Sequence, residues 1–114
     1  MEVNRQELHE LLVDILSTED STPHVYFQAP ESVKLVYPCI LYKLRTITSD
    51  YADDVPYVST IGYDVTYITR SPVSAVPTLL LKEQYMAFDR YYVADNLHHY
   101  AYTYTNTLKE VPND

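Results

Sequence analysis

Tyr57-Val58-Ser59-Thr60-Ile61-Gly62-Tyr63-Asp64-Val65-Thr66-Tyr67-Ile68-Thr69-Arg70 is the stretch on which the fold turns. Ile61, Tyr63, Val65 and Tyr67 occupy alternate positions, with Thr60, Asp64 and Thr66 between them. Successive strand residues point to opposite faces, so this period of two predicts a strand buried on one side. The preceding stretch alternates too. Tyr37 to Thr48 predicts a second long strand, with Ile40, Tyr42 and Leu44 on one face and Leu41, Lys43 and Arg45 on the other. Asp50-Tyr51-Ala52-Asp53-Asp54-Val55-Pro56 reads as an acidic loop between them, so an antiparallel hairpin with a long exposed tip is expected. Gly62, the chain's single glycine, falls inside the second strand, where glycine marks a bulge or a close backbone approach.

Upstream, Leu8, Leu11, Leu12, Ile15 and Leu16 lie at the spacing of one helical stripe, which predicts a helix from about 5 to 17. Asn4 is the expected N-cap, with Glu7 completing a capping-box variant. Val25-Tyr26-Phe27 reads as a short extended run before an Ala29-Pro30-Glu31 turn. Downstream, Ser74 is the expected cap of a short helix with Pro77 in its first turn and Leu79, Leu80 and Leu81 behind it. Ala87 to Val93 and Leu97 to Thr107 read as strands joined by a tight turn at Asp95-Asn96. In the last strand His98, Tyr100, Tyr102 and Tyr104 share a face. The expected fold is α+β: an N-terminal amphipathic helix and a second short helix packed on a mostly antiparallel β-sheet with a long hairpin. One domain over 1–108 is expected, with 109–114 a loose tail.

Composition removes whole classes of function. A single glycine among 114 residues cannot build the G-x-G-x-x-G or G-x-x-x-x-G-K-[ST] phosphate cradles, nor the G-x-S-x-G serine elbow. No stretch approaches the ~20 apolar residues of a membrane span, and the acidic N-terminus lacks a secretory pattern. One cysteine makes no internal disulfide, which points to a reducing compartment. The net charge of −8 offers no basic footprint for phosphate-backbone binding. Residues 1–20 carry six acids against one base, 21–49 one against three, and 50–114 nine against four, so only the middle is positive. A negative surface lets DNA pass without sticking.

No catalytic or metal constellation emerges. His98 and His99 point to opposite faces of a strand and read as ordinary strand histidines. Cys39 reads as a small buried hydrophobe. Asp50, Asp53 and Asp54 lack the glycine and glutamate of a calcium loop and read as a solvated or partner-facing tip. No cofactor is expected, and no enzyme. The thirteen tyrosines carry more information. Tyr42 and Tyr63 are expected in the core. Tyr51, Tyr57, Tyr91, Tyr100, Tyr102 and Tyr104 are candidates for a subunit interface, where tyrosine is enriched, or for a half-exposed sheet face.

Several of these segments resemble one family. Tyr37-Pro38-Cys39-Ile40-Leu41-Tyr42 is similar to the start of the long strand in siphophage tail terminator (tail completion) proteins. Phe88 through Tyr100 resembles the closing hairpin of the same proteins. Val25-Tyr26-Phe27-Gln28-Ala29-Pro30 and the N-terminal helix are similar too. The resemblance implies a virion protein, assembled in the host cytoplasm, that forms a ring, typically of six subunits, on the head-proximal end of the tail tube. The ring stops tube polymerisation, presents a surface to the head connector, and lets DNA through its lumen without specific binding. A head–tail connector or stopper protein is the runner-up, followed by a small non-catalytic module that docks a peptide on a sheet edge.

Ring closure requires two unlike surfaces per subunit. Lys43, Arg45 or Arg90 are expected to face acids such as Asp53, Asp54 or Asp89 of a neighbour. The acidic tip at 50–56, bearing Asp50, Tyr51, Asp53 and Asp54, is expected to face the lumen or the tube, with Tyr57, Tyr91, Tyr102 and Tyr104 as further interface candidates. No membrane is implied.

Overall fold

In the computed structural model, which describes residues 4–52 and 55–108, two helices and five strands follow in the order α1 Asn4–Leu16, β1 His24–Phe27, β2 Cys39–Ala52, β3 Val55–Thr69, α2 Val76–Leu81, β4 Met86–Ala94 and β5 Leu97–Thr107. The strands form one sheet in the order β1-β2-β3-β5-β4. All neighbours are antiparallel except β1 and β2, which run parallel. Both helices cover the same face, so the fold is α+β in two layers.

The core forms where the two periodicities meet. Leu8, Leu12, Ile15 and Leu16 of α1 pack onto Ile40 and Tyr42 of β2 and Ile61, Tyr63, Val65 and Tyr67 of β3. Tyrosines are tolerated there because their rings interlock edge-on and their hydroxyls find partners. A ridge crosses four strands from Phe27 to Tyr42, Tyr63 and Tyr104, with centroids 5.0, 5.9 and 6.4 Å apart. The Tyr42 hydroxyl shares a hydrogen bond with His9 Nδ1 at 2.8 Å, tying α1 to the sheet. On the opposite face, Cys39, Ile68 and Leu97 form a smaller cluster.

Three expectations are corrected. The acidic segment 50–56 is mostly strand: β2 runs to Ala52 and β3 starts at Val55, with Tyr51 opposite Pro56 and Ala52 opposite Val55. Cross-strand pairing carries the hairpin through residues whose composition alone suggests a loop. Asn4 lies within α1, not before it, and its Nδ2 donates to the Thr107 carbonyl at 2.9 Å. The N-cap of α2 is Ala75; Ser74 stands one residue earlier, with Oγ accepting from the Val76 amide at 3.2 Å. Leu44 shares the face of Ile40 and Tyr42, as expected, and is exposed. The expected loose tail 109–114 lies outside the described residues.

A carboxylate in the turn just beyond α1 fixes the link between the layers. Glu19 accepts from the Ala75 amide at 2.6 Å, from Ser74 Oγ at 2.8 Å and from the Tyr67 hydroxyl at 3.3 Å. It therefore satisfies the Ala75 amide, a backbone donor at the start of α2 that has no intrahelical acceptor.

Candidate interaction surface

The least covered flank of the sheet is its β4 side. The α1 helix lies over the β1–β2 side, and α2, only six residues long, packs beside β4 without burying its outward side chains. Every residue of β4 except Met86 is exposed. Asp95 and Asn96 adopt φ of 54° and 62°, the left-handed pair that closes a two-residue hairpin, and this fixes the register of β4 on β5. Phe88 opposes Tyr102, Tyr91 opposes Tyr100 and Val93 opposes His98, placing all three on the helix-side face. Phe88 is 48% exposed, Tyr91 48% and Val93 55%, with Leu81 of α2 beside them at 57%. Leu81, Phe88, Pro77, Thr78, Tyr100 and Tyr102 line a mostly apolar depression of about 240 Å³.

This flank separates the tyrosines. Tyr102 and Tyr104, expected at an interface, are core residues at 2% and 5% exposure. The Tyr102 hydroxyl donates to the Pro77 carbonyl at 2.9 Å, and Tyr104 accepts from Asn106 Nδ2 at 2.9 Å. Burial, together with neighbouring Tyr100, pushes the Tyr102 phenol up to about 12. A second aromatic line runs outward from buried Tyr67 through Tyr100 to exposed Tyr91, with centroids 5.9 and 4.9 Å apart. Tyr91 stacks on His98 and shares a 2.7 Å hydrogen bond with its Nδ1, so an exposed ring is held in place. Tyr91 thus remains a surface candidate.

The outer face of the sheet differs. Thr46, Thr48, Thr60, Thr66, Thr103 and Thr105 form its polar floor, as their pairings across β2, β3 and β5 require. Lys43 lies opposite Asp64. Arg45 is the extra residue of a bulge between Leu44 and Thr46, with its Nε 3.5 Å from Asp64 Oδ1 and its Nη2 donating to Thr105 Oγ1 at 3.1 Å. These contacts engage Arg45 within its own chain. Gly62 lies opposite the bulge and leaves room for that guanidinium. Asp89 is likewise an extra residue, between Phe88 and Arg90, and Arg90 sits over the Tyr92 ring at 5.2 Å.

Asp50, Tyr51 and Tyr57 belong to the strands of the long hairpin, whereas Asp53 and Asp54 lie outside the described residues. The exposure of Leu44, Leu81, Phe88 and Val93 was not anticipated from sequence, because each sits in an alternating or leucine-rich run that reads as core. Cys39 is buried as expected, and burial pushes its thiol up to about 12. Among the described residues, no group of three His, Cys, Asp or Glu side chains is placed to hold a metal ion, and no helix is long and apolar enough to cross a membrane.

Neither a scan of protein-family models nor a search of curated proteins gives a match for this chain.

Proposed function

We propose that the chain is a subunit of a ring that caps the head-proximal end of a phage tail tube, ends polymerisation of the tube protein and offers the joining surface to the head connector. The observation that carries this reading is the exposed β4 flank. An edge strand with large apolar side chains on one face is a liability unless a partner covers it, and it is a ready docking surface when one does. The resemblance of the Tyr37–Tyr42 and Phe88–Tyr100 segments to tail terminators supports the same reading. So does the element order, in which a closing β4–β5 hairpin follows one long β2–β3 hairpin. The β4 flank meets the tube, and the role is one of assembly, with no catalytic step assigned.

The test mixes the protein with polymerising tail-tube subunits and images tube lengths and ends. Tubes of limited length, each bearing one capped end, are the expected result. Unlimited, uncapped tubes would overturn the reading.

A further inference from the structure

Charge is segregated between the two layers. The solvent side of α1 carries Glu7, Glu10 and Asp14, all exposed, and Arg5 is the helix's one base. The Arg5 guanidinium lies over the Phe27 ring at 5.0 Å, at the helix's N-terminal end. On the outer sheet face the balance reverses. Lys43, Arg45, Arg70 and Arg90 stand against Asp64, the bulged Asp89 and Asp50, whose register position is on the same face, so bases outnumber acids there on a chain of net charge −8. The Arg45–Asp64 pair is satisfied internally, and Arg70 lies over the Tyr37 ring at 5.3 Å. Arg90 lies over the Tyr92 ring and Lys43 stands opposite Asp64, and both remain exposed.

We infer that the outer sheet face of one copy docks the acidic α1 face of the next. The contact is heterologous, one face against the opposite face of an identical subunit, which is the kind that closes into a ring when the rotation fits. The dimensions agree. Lys43 on β2 and Arg90 on β4 are three strand spacings apart, about 14 Å. On α1 the acids from Glu7 to Asp14 span two helical turns, about 10.5 Å, a difference that the long Lys43 and Arg90 side chains can bridge. Glu10 and Asp14 are one turn apart and share a side of α1. The threonine floor between the bases supplies hydroxyls without bulk, so a helix can approach closely. Opposite potentials on the two faces steer encounter and fix orientation. The inference rests on the ring reading above but uses a different surface, leaving the β4 flank to the tube.

The test uses the full chain with two double variants: Lys43→Glu with Arg90→Glu, and Glu10→Lys with Asp14→Lys. All four sites are exposed, and thermal unfolding checks that each variant folds. Self-association is followed by sedimentation velocity at low and high salt. Wild type is expected to associate more weakly as salt rises. Each double variant is expected to associate about tenfold or more weakly than wild type, since attraction becomes repulsion. Mixing the two variants in equal amounts restores association, because each acidic face then meets a basic one. Unchanged association of either double variant, no restoration on mixing, or a wild type that stays monomeric at every concentration would overturn the inference.

A linear duplex DNA is tested in parallel. If the sheet-face variant loses only DNA retention and still associates, the face serves a polyanion and the inference falls. If association follows the charges while tube growth goes uncapped, the docking stands and the terminator reading fails.

Discussion

The guanidinium of Arg45 occupies the space that a side chain at residue 62 would need: a Cβ built on Gly62 would lie 2.9 Å from Arg45 Cζ and 3.2 Å from Thr46 Cγ2. The chain's one glycine therefore belongs to the bulge opposite it. The bulge turns Arg45 onto the outer face, and the missing side chain lets it lie flat across β3 to reach Asp64 and Thr105. Gly62→Ala forces the end of a flexible side chain to move. It gives up a half-exposed ion pair worth about 0.2–1 kcal/mol. In return it gains the strand preference of Ala over Gly, about 0.5–1 kcal/mol. The substitution should be close to neutral in wild type and stabilising by about 0.5–1 kcal/mol in an Arg45→Ala background. Urea unfolding of the four-member cycle reads the change directly.

Glu19 gives a second, more local prediction. One carboxylate holds Tyr67, Ser74 and the Ala75 amide, so removing it detaches the start of α2 from the end of α1. Glu19→Ala should cost about 1–3 kcal/mol, as expected for charge-assisted bonds at a partly exposed site. Amide exchange should show protection lost in α2 and in 71–75, with β5 unchanged. Uniform loss across the sheet would mean that Glu19 does not act through this junction.

Most of the fold is legible in sequence because it rests on local signals. β5 shows its alternation over its whole length, and Asp95-Asn96 is a pair that tolerates the positive φ of a two-residue turn. What escaped the sequence is what depends on distant partners. Residues 50–56 carry turn chemistry, yet β2 and β3 pair nearly to the tip because pairing, once begun, propagates. Tyr91 and Tyr102 occupy similar alternating runs, and only the position of α2 decides which is covered. Leu79, Leu80 and Leu81 are adjacent on six residues of helix, so they point in different directions and one had to be left out. The charge segregation was likewise invisible before register was known, since it depends on which face each base takes.

Alkaline pH should destabilise the protein. Burial raises the Cys39 thiol from 9.0 to about 12, and burial with nearby Tyr100 raises the Tyr102 phenol from 10.0 to about 12. Both groups hold their proton more tightly folded than unfolded. Below the unfolded values neither titrates in either state, and their contribution is intact. As pH climbs past about 9 towards about 12, the unfolded chain loses protons first, so stability falls across that window. Urea midpoints taken from about pH 8 to about pH 11 should decline, and Cys39→Ala should flatten the early part of the decline. At about pH 8 iodoacetamide should label the native thiol only as fast as unfolding exposes it, since a buried, protonated thiol is a poor nucleophile. Rapid native labelling would contradict the burial of Cys39.

The two classes of tyrosine make the sharpest comparison. Tyr102→Phe leaves the Pro77 carbonyl without its donor and should cost about 1–3 kcal/mol, while Tyr102→Ala should cost about 3–5 kcal/mol through the cavity it opens. Tyr91→Ala and Phe88→Ser remove rings that are half exposed, so each should change stability by only about 0.5 kcal/mol. Their effect should fall on capping instead. Tubes grown with the Tyr91→Ala, Phe88→Ser double variant should lengthen and lose their capped ends, because the apolar flank proposed to meet the tube has been stripped. Tubes grown with Tyr102→Phe should stay capped wherever the subunit remains folded. If stability follows this pattern but both proteins cap equally well, the β4 flank is exposed for some other partner and its assignment to the tube is wrong.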